Sequence, residues 1–156
     1  MSKSAFQALV AQVTSAIGGQ PVEPALGAIL NARFPPDGPV YLAIEAACHA
    51  AIAEGWMCER EHGGIRYGRV IEAGEALAGY SVDVVRMTDV AGPHHRHPGG
   101  EIDMIMPVTP GARFDGAPHG WLVYGPDSAH RPTVTGGESL VLYLLPGGQI
   151  DFARAK

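Results

Sequence analysis

A chain of 156 residues, 46% hydrophobic and only 17% charged, has the size and composition of one folded domain with a real core, which excludes a disordered segment. A net charge of −5 with no basic cluster excludes a nucleic-acid surface, and no apolar run approaches the ~20 residues that span a bilayer. The N-terminus has no basic region ahead of an apolar core, so no signal peptide is expected and a cytoplasmic location follows. Lys3 and Lys156 are the only lysines, so every internal cation is arginine, the side chain best shaped to hold a carboxylate through two parallel hydrogen bonds. Cys48 and Cys58 form no CxxC pair and imply no disulfide framework.

The first 55 residues read as helical. Ser4-x-x-Gln7 resembles a capping box, and Phe6, Leu9, Val10, Val13 and Ile17 recur at helical spacing until Gly18-Gly19. A second helix is expected from Val22 to about Arg33, with Pro24 in its first turn and Leu26, Ile29 and Leu30 on its apolar side. After the Phe34–Gly38 linker, Pro39 opens a third helix whose stripe is Tyr41, Ile44, Cys48 and Ile52, ended by Gly55. This extension, residues 1–55, is expected to pack as a cap or homodimer element on a barrel formed by residues 56–156.

From residue 56 glycine and proline punctuate short alternating apolar runs, the pattern of a β-sandwich or barrel. Strands are predicted over 65–71, 80–87, 94–97, 101–108, 120–124, 130–135 and 140–145. Turns are expected at Pro110-Gly111, Asp115-Gly116 and Gly136-Gly137, and Glu59–His62 reads as part of a solvated hinge.

Five of the seven histidines fall between residues 94 and 130, so the chemistry is sought there. Residues two apart in a strand share a face, so His95 and His97 project together while His94 and Arg96 point away. Pro98-Gly99-Gly100 lets the chain turn before Glu101, and His130 supplies a later imidazole. Such a nitrogen and oxygen set suits a divalent transition metal, without deciding among iron, manganese, zinc and nickel. If Glu101 faces the barrel interior, so does Asp103, either as an acid/base group or as the fixer of a ligand imidazole. Asp83, among valines, is expected to be outward and solvated. Arg66 and Arg69 lie on opposite faces of their strand, so one of them can enter the cavity, and Tyr67 shares a face with Arg69. No glycine-rich phosphate loop precedes a helix and no GxSxG elbow is present, which argues against nucleotide use and acyl-transfer hydrolysis.

His95-x-His97-x3-Glu101 is similar to the first cupin motif, and Gly125-Pro126 followed by His130 resembles a shortened second one. The resemblance implies a mainly β, double-sheet jelly roll with metal ligands at His95, His97, Glu101 and His130. Proline to histidine is one residue shorter than usual in the second motif, which leaves His94 or His119 as a substitute ligand. Gly63–Val70, His94–Met106 and Tyr124–Pro146 resemble the small cupin family of 4-hydroxylaminobenzoate lyases, over roughly residues 57 to 153. That family implies conversion of 4-hydroxylaminobenzoate, a small aromatic acid, to 3,4-dihydroxybenzoate and ammonia, and it draws Arg60 and His62 into view. His95, Glu101 and Asp103 are then the catalytic candidates, and Arg66, Arg69 and Tyr67 the substrate-binding ones. The competing readings are a metal-dependent cupin dioxygenase and a non-catalytic cupin that binds a small ligand.

Overall fold

A computed structural model describes residues 1–152, so the last four residues of the expected barrel segment lie outside the described residues. Three helices come first: α1 (Lys3–Ile17), α2 (Pro24–Arg33) and α3 (Pro39–Glu54). Nine strands follow: β1 (Arg60–His62), β2 (Ile65–Ile71), β3 (Tyr80–Ala91), β4 (His95–His97), β5 (Glu101–Pro107), β6 (Arg113–Phe114), β7 (Gly120–Tyr124), β8 (Ser128–His130) and β9 (Thr133–Pro146). Every strand pairing is antiparallel. One sheet runs β1-β2-β3-β9-β5-β7 with β6 on the start of β9, and β4 and β8 form a separate ribbon. This is the expected cupin-type jelly roll with helices added at its N-terminal end.

The long strand β9 organises the sheet. It pairs with β3 along one edge, and with β5 and β6 along the other. Its alternate residues serve two cores. Leu140, Leu142 and Leu144 join Val82, Val84, Ile102 and Met104 in a cluster with Phe6, Leu30, Tyr41 and Ile44 of the helices. Val141, Tyr143 and Leu145 join Met87, Ile105 and Phe114 on the interior face. The helices thus cover one side of the sheet while the other side encloses the barrel, which explains why β5 is buried on both faces. Tyr41 ties the two layers: its hydroxyl donates to the Ile105 carbonyl and accepts from the Gly120 N–H at 3.1 Å. Asn31 of α2 does the same for β7, through paired bonds of 3.1 and 2.9 Å with the Trp121 backbone.

Several boundaries differ from the sequence reading for local reasons. Ser2, not Ser4, caps α1, its hydroxyl accepting from the Ala5 N–H at 3.1 Å. The second helix starts at Pro24, not Val22, because proline at N1 needs no N–H partner. Ile29, expected on the apolar side, is exposed. Arg60–His62 is a strand paired to β2, not a loose hinge, although its residues are exposed. The predicted strand over 130–135 is broken after His130, since Pro132 cannot donate to a ladder. Gly136-Gly137 is no turn: the strand continues through it as a bulge, with residues 135–137 opposite Asp89, whose carboxylate accepts the Gly137 N–H at 3.1 Å.

Replacing Tyr41 by phenylalanine leaves two buried backbone groups without their partner. Urea denaturation should show a loss of about 2 kcal/mol, with the secondary-structure content retained.

Candidate active site

The separate ribbon carries three converging histidines, His95, His97 and His130. β4 is only three residues long, and its alternation turns His95 and His97 into the barrel while Arg96 points out. Arg96 grips the chain beyond β9: its backbone exchanges bonds of 2.7 and 2.9 Å with Asp151, and its guanidinium pairs with Asp127 and Asp151. That clasp lays the Phe152 ring edge-on to His95, centroids 5.6 Å apart. In the β4–β8 register His95 stands directly opposite His130, and His97 opposite Ser128. Directly opposed residues share a face, so the third imidazole arrives without a long excursion of the chain.

Gly100 sets the fourth group. Its φ of +92° suits glycine, and a Cβ there would meet Val22 Cγ1 at 2.7 Å and the Tyr124 carbonyl at 2.8 Å. The turn delivers Glu101, fully buried, into the midst of the imidazoles. His95 Nε2 and His97 Nε2 each lie 3.1 Å from Glu101 Oε1, and His130 Nε2 lies 3.3 Å from Oε2. One ligand atom from each of the four residues falls within 4.8 Å of all the others.

Neighbouring groups settle how the rings are presented. The Ser128 hydroxyl donates to the Gly125 carbonyl and so accepts from His97 Nδ1, 2.8 Å away. His130 Nδ1 donates to Asp115 Oδ2. With a proton held on Nδ1 in both rings, each turns its Nε2 toward the centre, where a metal would take up the lone pair. His95 Nε2 sits 3.1 Å from His130 Nε2, and His97 Nε2 and Glu101 Oε2 have no hydrogen-bond partner among the described residues. Convergent lone pairs of this kind are consistent with a divalent transition metal.

The titrations follow from the same contacts. Burial alone would raise the Glu101 carboxyl, but the His130, His95 and His97 rings crowded against it outweigh burial and hold it well below the usual range. Asp103 goes the other way, raised well above its usual value by complete burial and by the Glu101 carboxylate beside it. Asp103 therefore stays protonated, and it fixes no imidazole, since neither of its oxygens has a hydrogen-bond partner among the described residues. Burial works against a charge on His130, yet its bonds to Asp115 and Glu101 push the ring up to about 9.

The site opens on one side into a cavity of about 580 Å³. Its walls include His95, Tyr143 and Phe152 at the inner end and Arg60, His62, Tyr67 and Arg69 from β1 and β2. Arg69 is committed there, with bonds of 3.2 and 3.1 Å to Asp83, 3.0 Å to the Gly148 carbonyl, and Glu72 at 3.5 Å. Asp83 is thus a cavity-wall residue held by Arg69, not the solvated outward group expected from its strand. Arg66 faces away, donating to the Cys58 carbonyl at 3.2 Å and lining a different depression. Neither alternative ligand reaches the cluster. His119 lies 3.7 Å from Glu45 on the helical side, and His94 is not among the four converging residues.

Asp115 is the residue that sequence reasoning missed. It read as half of an Asp-Gly turn, and its φ of +51° agrees, but its carboxylate collects His130 Nδ1, the Tyr124 hydroxyl at 2.6 Å and the Thr133 N–H at 2.8 Å. Ser128 sits in no GxSxG elbow, and its role toward His97 carries no sequence signal beyond its place opposite that histidine.

Fold and site together define a cupin. A family model described as 4-hydroxylaminobenzoate lyase (PnbB) matches residues 8–152, so the chain belongs to the 4-hydroxylaminobenzoate lyase family. The 4-hydroxylaminobenzoate lyase of Nocardioides sp. (strain LMS-CY) is 34% identical over 133 residues, covering 79% of this chain and 78% of that protein. The Pseudomonas putida protein of the same name is 29% identical over 140 residues, covering 79% and 80%. Similar solved structures include an RmlC-like cupin protein from Ralstonia eutropha JMP134 (TM-score 0.40, 14% identity, 55% of this chain and 57% of that one). The DMSP lyase DddQ from Ruegeria pomeroyi DSS-3 is another (TM-score 0.38, 23% identity, 91% and 92%).

Asp115→Asn tests the support beneath His130. Burial alone would raise the Asp115 carboxyl, but bonds from His130, Tyr124 and the Thr133 N–H bring it below its usual value. The substitution should cost about 2 kcal/mol in urea denaturation at neutral pH. Since the folded-state pKa is the lower one, the wild-type advantage is complete above roughly pH 4 and is lost as pH falls through the folded-state value.

Proposed function

We propose that the protein converts 4-hydroxylaminobenzoate and water to 3,4-dihydroxybenzoate and ammonia, with a divalent metal held by His95, His97, Glu101 and His130. The single observation that supports this reading most is the buried three-histidine, one-glutamate cluster exposed at His95 to a cavity walled by aromatic rings and arginines. The reaction is redox-neutral overall: the N–O bond, the ring C–N bond and the C–H bond at ring carbon 3 break, ring C–O bonds form at carbons 3 and 4, and nitrogen leaves as ammonia with one water consumed net. No external oxidant is consumed, unlike in a dioxygenase.

A divalent metal held by His95, His97, Glu101 and His130 would supply Lewis acidity at the inner end of the cavity. The chain supplies the rest. Phe152, Tyr67 and Ile65 give the aromatic ring an apolar wall, which restricts its rotation before the reacting carbon meets water. His95 is the cluster residue that reaches the cavity wall, so the reacting end of the substrate belongs beside it. Tyr143 sits next to it, kept neutral by burial and by the facing Glu101 and Asp103 carboxyls, and can donate a hydrogen bond but not supply a negative charge. Asp103 does not line the cavity. It is buried beside the Glu101 carboxylate, whose charge keeps it neutral, and from there it is no direct acid to the substrate.

Anaerobic incubation of the metal-loaded protein with 4-hydroxylaminobenzoate should yield ammonia and 3,4-dihydroxybenzoate in equal amounts. A strict requirement for oxygen would turn the assignment to the dioxygenase, and no product from a folded, loaded protein would turn it to a binding module. His95→Ala and Glu101→Gln should each lower kcat at least about a hundredfold, ~2.7 kcal/mol of barrier, with metal content by elemental analysis falling in parallel.

A further inference from the structure

We infer that Arg60 of β1, and neither Arg66 nor Arg69, holds the carboxylate of the aromatic acid, setting the substrate with its acid group toward the β1 edge and its nitrogen toward His95. The inference rests on the proposed function for the identity of the acid, and on the cavity's charge arrangement for the position of its anchor.

The register of the outer hairpin places the side chains. Arg60 stands directly opposite Tyr67, and His62 opposite Ile65. Opposed residues share a face, and residues two apart along each strand share it too. Arg60, His62, Ile65, Tyr67 and Arg69 accordingly all line the cavity, while Glu61 and Arg66 occupy the other face. A short, exposed strand that looks like a linker in sequence is thereby one wall of the pocket.

The arginines of that wall are not equivalent. The lining holds two guanidinium groups, Arg60 and Arg69, and two carboxylates near them, Glu72 and Asp83. Both carboxylates are bound to Arg69, at 3.5 and 3.1 Å, and the Gly148 carbonyl takes a further N–H at 3.0 Å. An incoming carboxylate would have to displace Asp83, which is half-buried and held by two bonds, to use Arg69. Arg60 makes no side-chain hydrogen bond or ion pair among the described residues. Its donors face the cavity uncommitted, and a guanidinium matches a carboxylate through two parallel bonds. Tyr67, its cross-strand neighbour, is exposed enough to lie against the ring that carries that carboxylate.

Arg60→Gln tests this, because the position is exposed and the fold does not depend on it. Calorimetric binding of 4-aminobenzoate, an unreactive relative of the acid, should weaken about tenfold, while 4-aminobenzamide, uncharged at the same position, binds wild type and variant alike. In turnover of 4-hydroxylaminobenzoate the variant should show a raised KM and a nearly unchanged kcat, as for a contact present in both ground and transition states. Equal weakening for the acid and the amide, no weakening at all, or no binding of 4-aminobenzoate to the wild type overturns the inference. So does selective loss in Arg66→Gln or Arg69→Gln with Arg60→Gln unaffected. A wild type that releases no ammonia refutes the lyase reading instead, and the two binding measurements still decide the anchor.

Discussion

A carboxylate with no exposure loses its hydration, and it can remain charged only if other groups replace what water gave. Glu101 is in that position, and the surrounding structure answers it. Three imidazole nitrogens stand within 3.3 Å of its oxygens, delivered by two separate pieces of chain. His95 and His97 come from the alternation of β4, and His130 from the pairing of β8 opposite it. Asp115 and Ser128 then fix the ring tautomers. Removing the charge of Glu101 would leave convergent nitrogens facing one another with nothing between them.

The scaffold makes this arrangement stiff. Helices α1 to α3 bury the outer face of the sheet, so β5 is enclosed on both sides and cannot shift Glu101 toward solvent. Tyr41 and Asn31 bond the helices to backbone groups of β5 and β7, which removes sliding between the layers. The same enclosure keeps Asp103 protonated: two carboxyls side by side without water cannot both ionise. The barrel therefore holds one negative charge at its centre and one neutral acid behind it.

The open end is built differently. β1, β2 and the segment after β9 are more exposed, and their contacts with the cavity run through long side chains: Arg60, Tyr67, Arg69 and Phe152. Arg96 links the two ends, since it lies between the two inward histidines and holds Asp151 next to Phe152. The Phe152 side of the cavity wall and the histidine cluster are thus joined through one short strand.

By itself the sequence determined the helices, most strand positions and the His95, His97, Glu101 and His130 set. These follow from local periodicity, from the Pro98–Gly100 turn and from a motif contained in a few residues. Alternation along β5 also told that Asp103 shares a face with Glu101, but not that Asp103 would be left neutral beside that carboxylate instead of bonding an imidazole. Only the tertiary structure decided which arginine has free donors, because Arg69 is claimed by Glu72, Asp83 and Gly148, the last 79 residues away in sequence. It likewise decided that the exposed Arg60–His62 segment pairs as a strand, that Gly136-Gly137 is a bulge, and that Asp115 turns its carboxylate onto His130. The physical reason is the same in each case. Periodicity reports which way a side chain points from its own strand, whereas what it meets there depends on segments brought alongside by the barrel's closure.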